Sequence, residues 1–141
     1  MTGVQTCALP IWLIALSKSA AARLYESFVA KEVEKEYRAI VPMLPWPEGS
    51  FRAGIEGKPA QTDFQVVKHM GAICEVSLTP VTGRTHQLRW HLEAARSPIL
   101  ADPLFGGIMI AGGLRLYSRR IAIPAEGIDA TCEEPAGFVP K

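Results

Sequence analysis

The sequence predicts an α+β fold, a mixed, mostly antiparallel sheet with flanking helices. Three observations carry this. Hydrophobic residues make up 48% of 141 positions, enough for one domain with a core of its own. Apolar residues recur at helical spacing in some stretches and alternate, as strands do, in others. The order helix, strand, hairpin, helix, strand is also not the regular strand–helix alternation that builds a parallel sheet.

Residues 1–12 stand apart. They hold no Asp, Glu, Lys or Arg, and Gly3 to Ile11 resembles translated sequencing-adaptor read-through, so a non-native N-terminal segment is expected there. The apolar run Cys7 to Leu16 is ten residues long, whereas a membrane span needs about 20. Pro10 interrupts this run and no basic residue precedes it, which argues against a signal peptide. A domain is expected over residues 13–125. Ser17 to Glu32 has helix formers throughout, with Ala21, Leu24, Tyr25, Phe28 and Val29 on one face and Ser17 or Ser19 as the cap. Glu34 to Val41 alternates charged and apolar residues and stops at Pro42, as a strand would. Pro42 to Pro59, with four prolines and three glycines, reads as a loop containing a short strand at Ser50 to Ala53. Gln61 to His69 and Ala72 to Thr79 read as a hairpin closed by a tight Met70-Gly71 turn. A helix is expected from Arg84 to Arg96, ending before Pro98, then a glycine-rich loop over Asp102 to Gly113 and a strand over Leu114 to Ile123. Residues 126–141 read as a loose tail.

Charge and cysteine content narrow the function. The formal net charge is +1, so any affinity for nucleic acid must come from a local patch. Cys7, Cys74 and Cys132 are odd in number and far apart, which points to a reduced, cytoplasmic protein without a disulfide framework or zinc site.

The densest chemistry lies in Thr82-Gly83-Arg84-Thr85-His86-Gln87-Leu88-Arg89-Trp90-His91-Leu92, where no carboxylate occurs between Glu75 and Glu93. A strand ending at Val81 and a Thr82-Gly83 turn place Arg84 and His86 at a helix N-terminus, with Arg89 one turn later. Backbone N–H groups and the helix dipole favour an anion there, and a phosphate-bearing polymer is the expected ligand. Arg119 and Arg120 are further candidates for RNA contact. His86 and His91 diverge by about 140° on a helix, which excludes one shared metal ion. Arg89 and Glu93 are spaced for an exposed ion pair, which a solvated helix face would also explain. Tyr37 is either a core residue of its strand or a ring that stacks on a base. No Gly-x-Ser-x-Gly elbow occurs, and the glycines at 106, 107, 112 and 113 lack the setting of a phosphate loop.

Residues 82–91 resemble the T-G-R-T/S-H-Q-I/L-R-V-H motif of the RluA-type RNA pseudouridine synthases. Ser97-Pro98-Ile99-Leu100-Ala101-Asp102-Pro103-Leu104-Phe105-Gly106 is similar to that family's H-P-I-L-G-D-P-L-Y-G, departing at Ser97 and Ala101. Glu34-Lys35-Glu36-Tyr37 matches a K-x-Y strand, Gly57 to Thr62 a G-K-x-A-x-T turn, and Leu114 to Ser118 a late R-L-x-L-H-A strand. The resemblance implies the pseudouridine synthase catalytic-domain fold and isomerisation of uridine to pseudouridine in structured RNA, rRNA or tRNA. It implies no cofactor, no metal and no membrane, and a monomer in the intact protein. It also implies catalytic roles for two residues. Tyr37 packs against the flipped base and assists proton removal, and Arg89 pairs with a nucleophilic aspartate.

The family carries that aspartate in R-L-D-x-x-T-S-G-L, upstream of the run matching residues 13–18. Here residues 1–12 fill the place without any carboxylate, so the chain is expected to be a truncated, inactive synthase domain. Asp63 and Asp102 match other family positions. Two alternatives stay open: a non-catalytic RNA-binding module that keeps Tyr37, Arg84 and Arg89, and a structural domain without an RNA partner. The codons upstream of position 12 discriminate between them.

Overall fold

The structure is a computed structural model describing residue 11 and residues 13–140, so the reading of 1–12 as a non-native segment falls almost entirely outside the described residues. Helix α1 (Lys18–Val29) is followed by β1 (Glu34–Pro42), β2 (Glu48–Phe51), β3 (Thr62–Met70) and β4 (Ile73–Pro80). Then come α2 (Gln87–Ala94), β5 (Leu116–Ile123), a 3₁₀ turn (Pro124–Glu126) and β6 (Ile128–Thr131). The strands form one sheet of order β2-β3-β4-β1-β5-β6, and every neighbouring pair is antiparallel. The expected sheet was mixed; the α2 crossover carries the chain to the far side of β1 and returns it against β1's direction, so this pairing too is antiparallel.

Strand alternation decides which residues share a face. Tyr37, Ala39 and Val41 of β1 lie beside Leu78, Val76 and Cys74 of β4, and this face packs on Leu88 and Leu92 of α2 and on Ile99. The opposite face holds Ile40, Leu100, Tyr117 and Phe138. A bulge between Glu36 and Tyr37 shifts the β5 register from Arg120 opposite Glu36 to Ser118 opposite Tyr37, leaving Arg119 as the extra residue.

Several expectations need correction. The tail is not loose: β6 pairs with β5, and Phe138 is fully buried, edge-on to Tyr117 with ring centroids 4.7 Å apart. Four alternating residues after Gly127 suffice to extend an existing sheet, although they are too few to signal a strand alone. The short strand runs over Glu48–Phe51 instead of 50–53, with Phe51 stacked on Phe64 at 4.4 Å. Helix α1 is capped as expected, since the Ser17 hydroxyl accepts from the Ala20 N–H at 3.1 Å. Its apolar stripe, however, stays largely outside: Tyr25 is 71% exposed and Val29 63%, while the helix residue turned inward is Ser27. Periodicity identifies a stripe but not which face the rest of the chain covers.

Candidate active site

The second helix starts three residues later than expected. His86 occupies the left-handed region (φ 54°, ψ 28°) at its N-cap, a conformation that cannot continue a right-handed helix. Arg84 to His86 therefore form a turn, and the chain closes it with side chains. Gln87 is the hub. Its Oε1 accepts from the Thr82 hydroxyl and from the Arg84 N–H, while its Nε2 donates to the Gln61 carbonyl at 2.7 Å and to the Thr62 hydroxyl at 2.9 Å. His91 extends the network inward: Nε2 donates to the Ala53 carbonyl at 2.9 Å, so Nδ1 is left to accept from the Thr62 hydroxyl at 2.8 Å. Gln87 and His91 are buried, and a satisfied buried network of this kind fixes one geometry. His91 thus braces the core rather than facing a ligand.

The turn forms one wall of a cavity of about 380 Å3. Tyr37, Arg84, His86 and Arg89 all line it, and Leu88, Leu114 and Leu116 give it an apolar floor. Lys35, which the motif reading did not nominate, is a third cationic group beside Arg84 and Arg89. Two residues before Tyr37 on β1, it is half-buried between this cavity and its neighbour, and its ammonium makes no hydrogen bond or ion pair among the described residues. Burial pushes its ammonium below the ordinary lysine range. Among the described residues no carboxylate lines this cavity. Burial also pushes the Tyr37 phenol up, so it presents a neutral ring and hydroxyl at neutral pH. The K of the K-x-Y match was the signal that could have found Lys35.

Arg89 is not left without a partner, as loss of the expected aspartate would imply. Asp102, fully buried, takes it in a two-pronged pair: Nε donates to Oδ2 at 2.8 Å and Nη2 to Oδ1 at 2.7 Å. The Leu104 and Phe105 N–H groups donate to the same Oδ1 at 3.1 and 3.2 Å. Burial alone would raise the Asp102 carboxyl, but the bonds from Arg89 and these two N–H groups outweigh it and hold the carboxyl below the usual range. The Phe105 ring lies 4.8 Å from the guanidinium carbon. Glu93, the alternative partner four residues on, stays exposed.

Arg119 and Arg120 are not brought to this cavity. Arg120 makes a two-pronged pair with Asp129 at 3.0 and 2.9 Å and lies 3.7 Å from Glu34, while Arg119 donates to the Cys132 carbonyl. Asp63 is likewise elsewhere, held by the Ser50 hydroxyl and Gln61. Among the described residues no three His, Cys, Asp or Glu side chains gather as a metal site, and no helix is long and apolar enough to cross a membrane.

Comparison with known proteins places this geometry. The family described as RNA pseudouridylate synthase matches residues 11–94. The dual-specificity RNA pseudouridine synthase RluA of Salmonella typhi is 33% identical over 89% of this chain and 68% of that enzyme. The ribosomal large subunit pseudouridine synthase D of Escherichia coli K12 is 29% identical over 69% of this chain and 34% of that enzyme. The solved structure of human RNA pseudouridylate synthase domain containing 1 superposes with a TM-score of 0.74 at 27% identity, over 89% of this chain and 64% of that one. The chain thus spans 64% of the human structure's length and 68% of the Salmonella enzyme's.

Proposed function

The chain belongs to the RluA-type RNA pseudouridine synthases, and we propose that its cavity receives the flipped uridine of an RNA substrate. One observation carries this reading. The cavity joins an aromatic ring, an apolar floor and the cationic groups Lys35, Arg84 and Arg89 without a lining carboxylate. A base needs the first two and a phosphate the third. At about 380 Å3 the volume suits a nucleotide rather than a large ligand.

The reaction conserves atoms. The N–C1′ bond breaks, a carbon of the same ring bonds to C1′, and one proton leaves that carbon as the nitrogen regains one. No electrons are exchanged, so no cofactor is required. Tyr37 supplies the ring against which the base turns, and its protonated hydroxyl can take part in the proton transfer only by exchanging one proton for another. Arg89 would orient the nucleophilic carboxylate through the guanidinium edge that Asp102 does not occupy. Arg84 and Lys35 would hold phosphate. The substrate is a structured RNA, rRNA or tRNA, met by a monomer in a reducing, cytoplasmic compartment; the free thiols of Cys74 and Cys132 support that location.

With no carboxylate lining the cavity and none in residues 1–12, this chain binds and orients but does not isomerise. The test is a titration with uridine 5′-monophosphate and with adenosine 5′-monophosphate. Uridine-selective binding that is lost in Tyr37→Ala supports the reading; equal binding of both nucleotides, unaffected by Tyr37→Ala, sinks it.

A further inference from the structure

Arg89 carries the site, yet what aims it lies outside the cavity. We propose that Asp102 is the positioning residue of this site: by occupying the Nε–Nη2 edge of Arg89, it turns the Nη1 edge toward the bound uridine nucleotide. The inference rests on the uridine reading above and adds a residue to it.

The geometry restricts the guanidinium in two directions. In its plane, two short bonds to one carboxylate fix both orientation and position. Above the plane, Phe105 closes one side at 4.8 Å. What remains is Nη1, which sits 3.4 Å from the Nδ1 of His86, a residue that itself lines the cavity. Nη1 carries two N–H groups, of which His86 engages one, so a further donor remains on the part of Arg89 that lines the pocket.

Asp102 is itself held by a loop shaped for it. Its N–H donates to the Ile99 carbonyl at 3.2 Å, and its carbonyl accepts from the Gly107 N–H at 2.9 Å. Gly107 is required at that approach: a Cβ there would lie 2.1 Å from the Ile99 oxygen and 2.6 Å from the Asp102 nitrogen. The preceding residue, Ala101, accepts a left-handed backbone (φ 61°) to enter the loop. A structural ion pair needs neither a spare donor edge aimed at a cavity nor a strained backbone behind it. An oriented donor needs both, because an arginine free to swing loses its geometry at each encounter.

The experiment uses the full chain with 15N-labelled arginine and uridine 5′-monophosphate as probe. In the parent the Arg89 Nε–H signal should persist in slow solvent exchange and shift when the nucleotide is added. Asp102→Asn, with its cooperative melt checked, should lose that slow exchange and weaken nucleotide binding by about tenfold, the scale of a charge-assisted hydrogen-bond pair. Adding Arg89→Lys to Asp102→Asn should cost little more, because the two residues act as one unit. Asp102→Glu should restore slow exchange in part. A folded Asp102→Asn that binds the nucleotide as tightly as the parent overturns the proposal. Should that variant not fold, rapid exchange of the Arg89 Nε–H in the parent overturns it instead. If the parent does not bind the nucleotide at all, the uridine reading fails, and the exchange measurement still decides whether Asp102 immobilises Arg89.

Discussion

The two faces of β1 handle charge in opposite ways, although their residues alternate along one strand. On one side Glu36 and Glu75 clasp Arg38 at 2.7 and 2.9 Å, and Ser77 donates to Glu36 at 2.8 Å. Burial would raise the Glu36 carboxyl, but the Arg38 and Ser77 bonds prevail and hold it below its ordinary value. The larger cavity on that side, about 590 Å3, has Lys31, Glu34, Lys35, Glu36, Arg38 and Arg120 in its lining, so carboxylates and cations are mixed there. On the other side Arg84 donates to the Pro59 carbonyl at 2.8 Å but has no carboxylate partner, Lys35 stands between the two cavities and lines both, and Arg89 is paired from behind the pocket wall. The difference shows that cation count does not mark a site for an anion. Cations with donors left over and no carboxylate facing the cavity do, because only they gain from a phosphate more than they lose in existing partners.

The largest test of this contrast concerns chemistry. Isomerisation of bulk RNA by this chain, measured by tritium release, should fall on the order of 10⁴-fold or more below a chain rebuilt to carry R-L-D-x-x-T-S-G, since a missing nucleophile leaves positioning alone. Turnover by the present chain at the rebuilt chain's rate would mean that a residue here serves as nucleophile.

Removing the one paired cation of the pocket side comes next. Arg89→Ala leaves Asp102 buried without its cation and should cost about 3–5 kcal/mol in urea unfolding. Arg89→Ala combined with Asp102→Asn should recover much of that loss. Additive losses would show that the pair is not coupled.

The same operation on the opposite face should separate stability from binding. Arg38→Ala exposes the buried Glu75 to an unpaired state and should cost about 1–3 kcal/mol, yet leave RNA affinity unchanged. The mirror variant, Lys35→Ala with Arg84→Ala, should cost no more than about 1 kcal/mol, the worth of the exposed Arg84 bond to the Pro59 carbonyl. It should also flatten the salt dependence of single-stranded RNA binding by about 1.4 in slope, two phosphate contacts' worth. RNA binding that follows Arg38 rather than Lys35 and Arg84 would reverse the assignment of the two faces.

The smallest effect is the pH dependence, where the faces also diverge. Asp102 and Glu36 titrate lower in the folded chain than in the unfolded one. Their contribution is therefore complete above about pH 4–4.5 and fades as pH falls through the folded values. Lys35 runs the other way. Its folded value lies below the unfolded one of about 10.4, so its protonated form costs stability that is recovered as pH rises through the folded value. Lys35→Met should accordingly raise the neutral-pH melting temperature slightly while weakening RNA binding. A lower melting temperature would show that the ammonium has a stabilising partner.

Alternation in β1, β3, β4 and β5, the hairpin between β3 and β4 and the Ser17 cap were legible from the sequence because each is set by residues close along the chain. The hairpin turn itself falls at Gly71-Ala72, one residue beyond the expected Met70-Gly71, because Met70 still pairs with Ile73. The motif at 82–92 was legible too, since its residue types are rare in combination and belong to one family. Tertiary structure alone decided what each of its members does. Gln87 and His91 turn inward because Thr62, Ala53 and Gln61, distant along the chain, supply their partners. Helix α2 begins at Gln87 instead of Arg84 because that same network holds the turn and His86 adopts a left-handed backbone. Arg119 and Arg120, adjacent and basic, are set apart from the pocket by a one-residue bulge and by Asp129. Asp102, thirteen residues beyond Arg89, meets it only because the chain folds back after α2 through a loop that Gly107 allows to close. Local pattern fixes the elements, whereas pairing of buried charge depends on contacts between distant residues, and those contacts exist only in the folded chain.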